Sequence, residues 1–343
     1  MALLISKKRF DKLQDRELSA WTSLLASETL SAGLFMHPEF CAAAHQTLGP
    51  VDVVVFEDQG RVVGLLPLNR APGMHGLMRG YTQVAQDVSD GFGFLVEDRY
   101  LDGVGAALTK AGVWSSFYTH FATGKHISDA QFGSVTKTYL VRCQGKDKDM
   151  WGQLKDRSRK FWSDTERCAR RLNELPSGYE FYWQSPKPER DIEALIDLKL
   201  DQYTRTGMSN SALFRENVQA FLKILSTKKT QGYSAPLSVL YCGERLVAAH
   251  LGLLSGERLH YWFPVYEPNY AKYSPGKVLL SEVMKFCGSQ GVKVIDFGEG
   301  QADYKVAVAT ETRELTKLVM APGARGSLSM LPLRWSWRMN RQV

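Results

Sequence analysis

The stretch KYSPGKVLLSEVMKFCGSQGVKVIDFGEGQADYK, residues 272–305, sets a Pro-Gly pair at the start of an apolar helix. A short strand follows, then an acidic residue, a glycine-spaced turn, a Tyr and a Lys. Ser274 is a good N-cap, and Pro275 suits the first helical position because its missing N–H would have no partner there anyway. Gly276 lets another group approach the backbone closely. The spacing predicts a helix that buries Leu279, Val283 and Phe286 and stops near Gly288 and Gly291. Free amides and little side-chain bulk make such a helix start a seat for phosphate, although an ordinary capped helix explains the same residues.

Val292 to Ile295 read as a short buried strand with Asp296 at its C-terminal end, where open sheets place ligands. Gly298 and Gly300 allow a turn into Tyr304 and Lys305. The "DFG" triplet does not make a kinase: the chain has no HRD loop, no glycine-rich loop over ATP and no V-A-I-K strand lysine. No GxxxxGK[ST] loop occurs either.

Around this stretch lie 343 residues, which at roughly 100–200 per domain suggest two domains. Hydrophobic residues make up 44% and charged ones 23%, so proper cores are expected and disorder is not. Cys41, Cys143, Cys168, Cys242 and Cys287 are scattered, without a CxxC pair or a histidine spaced for metal; a reducing compartment is expected, with no zinc site. The start, MALLISKKRFDKL, is too short an apolar run for a signal peptide, and no later run approaches a membrane span, so a cytoplasmic location is expected. Net charge is +7. Between Lys155 and Arg171 seven basic side chains face three acidic ones, and after Met320 come four arginines and no acid.

A repeat organises the chain. VDVVVFEDQGRVVGLLPL (51–68) and LSVLYCGERLVAAHLGLL (237–254) both read as strand, tight turn and strand, with Arg61 aligned to Arg245. Helical sequence precedes each hairpin, at Asp15 to Ala26 and Pro38 to Thr47, then at Pro188 to Thr206 and Ser211 to Thr227. A strand-helix-strand pattern follows each. Two α+β domains are expected, 1–150 and 151–321, with a basic tail at 322–343. The segment 151–175 is read as a basic helix joining or bracing them.

These motifs resemble the BioF2-like acyltransferases of the cellulose-biosynthesis type, the CelD/BcsL family of the GCN5-related N-acetyltransferase (GNAT) superfamily. The likeness rests on YSPGKVLL (273–280), DFGEGQADYK (296–305), the second hairpin and RLHYWFPVYEPNYAKYSPG leading into the helix. It is good over the C-terminal third and only in outline before, including PLNRA (67–71) and DVSDGFGFLV (87–96). It implies tandem acetyltransferase-like domains similar to the Fem aminoacyltransferases, with acetyl-coenzyme A or another acyl-coenzyme A as co-substrate and no metal. By that likeness the thioester lies between two splayed strands and the pyrophosphate on Ser274, Pro275, Gly276, Lys277 and Val278. The sequence departs here from the superfamily's [QR]xxGx[GA] fingerprint. In the first half YLDGVGAALTKAG (100–112) keeps only the Gly103/Gly105 spacing, the mark of a degenerate copy.

An amine attacking a thioester needs to be unprotonated, and needs donors for the oxyanion and a proton for the thiolate. His250, aligned with Leu66 of the first copy, is read as general base or substrate ligand, or else as a core histidine. Asp296 orients that histidine, binds the amine or caps the turn. Tyr304 protonates the thiolate or packs; Lys305 holds an anion or is solvated. The likeness suggests an amino sugar of an exopolysaccharide or its lipid-linked precursor as acceptor, met by the aromatic residues Tyr261, Trp262, Tyr266 and Tyr270, with Asp90 reaching an interdomain acceptor. The tail sets Arg334, Arg338 and Arg341 beside Leu331, Trp335 and Met339, a pattern suited to peripheral membrane contact or to docking on its own domain. A nucleic-acid partner is not expected, since no RNA-binding signature accompanies the basic cluster. The competing classes are a Fem-like transferase using charged tRNA and a non-catalytic component of a polysaccharide synthase.

Overall fold

The computed structural model describes residues 3–27, 31–122, 127, 130–142, 150–208, 210–230 and 232–331. The chain divides into two units, residues 1–136 with 314–343, and residues 137–313. In the first, the β-branched runs Val51–Asp58 and Arg61–Arg70 form the expected hairpin. Its turn residues Gln59 and Gly60 both have positive φ, which matches the right-handed twist of the flanking strands. Leu4–Arg9 pairs on one side, and Gly80–Gln83 then Ser115–Ala122 on the other, these last two in parallel. Helices Asp15–Ser27, Pro38–Thr47 and Val104–Lys110 complete the unit.

The second unit repeats this order. Strands Glu180–Tyr182, Leu237–Cys242, Arg245–Ser255 and Arg258–Tyr266 are successively antiparallel. Helix Pro275–Ser289 then crosses over, so Val294–Glu299 lies parallel to Arg258–Tyr266. Helices Pro188–Arg205 and Glu216–Ser226 stand where the first unit has its own N-terminal pair. The core gathers Leu240, Val247 and Ile295 from the sheet and Leu279, Val283 and Met284 from the crossover helix, all nearly or fully buried.

Two expectations are corrected. The divisions fall at 136/137 and 313/314, not at 150 and 321, because two strands are shared out along their length. Thr138–Arg142, the end of strand Ala130–Arg142, pair with Val294–Glu299. Leu315–Met320, the end of strand Glu311–Met320, pair with Ser115–Ala122 and return the chain to the first unit. The basic segment is also not one linking helix. It breaks at Ser158 into Met150–Arg157 and Arg159–Asn173, and its Leu154, Trp162 and Leu172 belong to the core of the second unit. The tail arginines Arg334, Arg338 and Arg341, with Trp335 and Met339, lie outside the described residues, as does Cys143. Among the described residues no helix is long and apolar enough to cross a membrane.

Candidate functional site

The parallel pair in the second unit stays together for three residues only: Arg258 faces Val294, Leu259 faces Ile295 and His260 faces Asp296. Beyond that point both strands continue without pairing to each other, to Tyr266 and Glu299. The preceding hairpin strand is irregular too, with a register shift between Leu251 and Leu253. Gly252 sits at that bulge for a steric reason, since a Cβ there would come 2.7 Å from the His250 ring. Beside the strand that parts lies a cleft of about 370 Å³, lined by strand Arg258–Tyr266, the start of the crossover helix, helix Pro188–Arg205 and Tyr304.

Six of the expected residues line this cleft: Tyr261, Tyr266, Ser274, Gly276, Lys277 and Tyr304. The helix start is tighter than expected. Ser274 is the N-cap residue but is left-handed, φ 50° and ψ 50°, and its hydroxyl makes no cap. Its carbonyl instead takes the amides of Lys277 at 3.0 Å and Val278 at 3.3 Å, and its own amide donates to Ala271. Pro275 has no N–H, so the first turn offers one amide, that of Gly276, instead of a row of them. Lys277 adds a cation, its ammonium 5.5 Å from the Phe161 ring centroid. Burial raises the Tyr304 hydroxyl to about 12.

Other expected residues stand off the cleft. Pro275 and Val278 turn into the core. His250 is fully buried with neither ring nitrogen hydrogen-bonded, and it stacks on Tyr261 with ring centroids 4.0 Å apart. Burial, with His260 nearby, lowers it to about 3, so it is neutral at physiological pH and too weak a base to unload an ammonium. It packs as a core side chain. Asp296 caps its turn: its Oδ1 accepts from the Gly298 amide at 2.9 Å and from the Thr138 hydroxyl at 2.5 Å, with His260 Nδ1 3.9 Å away. Lys305 closes the same turn by donating to the Glu299 carbonyl at 2.7 Å. Trp262 is outside the cleft lining, its ring against Phe221 and Phe263. Asp90 belongs to the other unit.

Two polar cleft residues were not foreseen, Lys199 and Gln202. Helix Pro188–Arg205 buries Ile192, Leu195, Ile196 and Lys199, so the lysine continues an apolar stripe at helical spacing. A lysine on a stripe was the available signal. The residue is only 9% exposed, and its ammonium donates to the Pro264 carbonyl at 2.8 Å. Burial, reinforced by Lys305, lowers it to about 8. Among the described residues no carboxylate lies within ion-pair distance of it, and no cluster of metal ligands occurs.

Residues 159–306 match the family model of an acetyltransferase (GNAT) domain, a span that contains every residue of the cleft. Among solved structures the chain is similar to FemX, at 11% identity over 96% of this chain and 99% of that one, with a TM-score of 0.63. It is also similar to the C-terminal domain of a lysylphosphatidylglycerol synthetase from Agrobacterium fabrum, at 10% identity over 92% and 94%, with a TM-score of 0.56. At such identities the likeness is one of fold. No curated protein matches the sequence. The architecture is α+β, tandem GNAT-like and Fem-like, with a GNAT acyltransferase fold around the cleft.

Proposed function

We infer that this chain is an acyl-coenzyme A-dependent N-acyltransferase whose second unit receives the donor thioester in the cleft and passes the acyl group to an amine. The observation that carries this reading is the end of strand pairing after His260 and Asp296. Parting strands leave backbone N–H and C=O groups open to an extended, amide-bearing arm. At the helix start the Gly276 amide and the Lys277 ammonium suit a phosphate. When bound, the thioester supplies an acyl carbon open to attack by nitrogen. Among the described residues the cleft lining has no histidine and no carboxylate, so on this reading the amine enters unprotonated and gives up its proton to solvent. Tyr304 keeps its proton at neutral pH and serves as a hydrogen-bond donor to charge developing on sulfur. Tyr266 and Tyr304 line the cleft with aromatic rings, which fits an amino sugar of an exopolysaccharide or its lipid-linked precursor as acceptor.

Calorimetric titration with acetyl-coenzyme A tests the donor. Binding is expected for the native protein and is expected to be lost in Gly276→Trp, whose ring fills the helix start. No binding to either would sink the reading. A second reading, transfer from charged tRNA, is favoured by the Arg171 guanidinium 5.6 Å from the Tyr273 ring, which brings the basic helix Arg159–Asn173 beside the same helix start. A strict requirement for tRNA in the transfer assay would select it.

A further inference from the structure

The acceptor side of the cleft carries three groups that the donor reading leaves unused. Lys199 is buried, lines the cleft and spends one of its three N–H donors on Pro264. One turn along the same helix, Gln202 lines the cleft with its Oε1 buried and without a hydrogen-bond donor. On the facing strand, Tyr261 lines it with a buried hydroxyl that has no partner. Unmatched buried polar atoms of this kind are costly, and an unpaired buried charge costs more, so a ligand that satisfies all three gains accordingly. The requirements are specific. Gln202 Oε1 needs an N–H or O–H donor, the ammonium needs an anion, and the Tyr261 hydroxyl takes either. The pantetheine arm of an acyl-coenzyme A is uncharged and would leave the ammonium unmatched.

We propose that Lys199, Gln202 and Tyr261 form an acceptor subsite for an amine that bears its own acidic group, the acid on Lys199 and the amine N–H on Gln202. This rests on the reading of the cleft as an acyl-transfer site. A carboxylate and a phosphate share the chemistry, and matched probes separate them. Full-length protein is titrated calorimetrically, with and without saturating coenzyme A, with glucosamine against glucosamine 6-phosphate and with ethylamine against glycine. The acid-bearing member of at least one pair is expected to bind ten-fold or more tightly, and the pair that responds identifies phosphate or carboxylate. Lys199→Met is expected to erase that preference and Lys199→Arg to retain most of it. Gln202→Leu is expected to weaken both members of a pair alike. Circular dichroism melts accompany each variant; should Lys199→Met not fold, Lys199→Gln replaces it. Equal binding within both pairs, or a preference that survives loss of the lysine charge, overturns the subsite. Acetyl-coenzyme A titrated into the same protein separates the two claims. Donor binding without acid preference overturns the subsite alone, whereas acid preference without donor binding keeps the subsite and overturns the donor reading.

Discussion

At residue scale the sharpest contrast is between His250 and Lys199, two buried titratable side chains. His250 is fully buried, carries two unsatisfied nitrogens and is held near pKa 3. Because that value lies below the unfolded 6.5, the unfolded chain binds the extra proton first. The stability His250 contributes is therefore complete above about pH 6.5 and is lost as pH falls towards 3, at up to about 1.4 kcal/mol per pH unit. His37, lowered to about 4, and His75 push in the same direction. Urea unfolding at pH 7 and pH 5 should show His250→Leu losing less stability on acidification than the native protein, with acyl transfer kept within a few-fold. Abolished transfer in a folded His250→Leu protein would restore the histidine to the chemistry. Asp296 is expected to behave as a structural residue. Removing its carboxylate in Asp296→Ala strands the Gly298 amide and the Thr138 hydroxyl and should cost about 2–4 kcal/mol, read as a lowered urea midpoint.

At the scale of elements, the cleft lies beside a strand that leaves its parallel partner. The ladder between Arg258–Tyr266 and Val294–Glu299 stops at His260, and on its other side the same strand places Tyr261 and Trp262 together opposite Gly252 in a bulge. Gly252→Ala would drive a methyl to 2.7 Å from the His250 ring and should destabilise the fold by about 1–3 kcal/mol. At the helix start the same change is mild. A Cβ at Gly276 meets Tyr266 at 3.4 Å, an ordinary contact, so Gly276→Ala should bind acetyl-coenzyme A within a few-fold of native where Gly276→Trp does not. The helix itself was legible from 275–289 because Pro-Gly at its start and the Leu279/Val283 spacing are local signals. The occupation of its first-turn amides by the Ser274 carbonyl was not, because a left-handed φ at a serine has no sequence mark.

At the scale of the molecule, strand Glu311–Met320 buries Leu315, Thr316, Leu318 and Met320 in the first unit, although it follows the whole second unit in sequence. A protein ending at Arg313 should leave the Ser115–Ala122 edge unpaired. Its first unit is expected to melt earlier and to aggregate, which differential scanning calorimetry beside light scattering would detect. An unchanged first transition would show the strand to be dispensable. The sequence by itself determined the two hairpins, the order of helices and strands in each unit, and the helix start with its aromatic surroundings, because periodicity and turn chemistry act over a few residues. It also carried, through its motifs, the likeness to GNAT acyltransferases. Only the tertiary structure showed where the units divide, that His250 is buried away from the cleft and Asp296 caps a turn, and that Lys199, Gln202 and Tyr261 line one cleft. Those outcomes depend on strand pairing and burial between residues tens of positions apart, and the free energy of a buried polar group is set by neighbours that a linear sequence does not display.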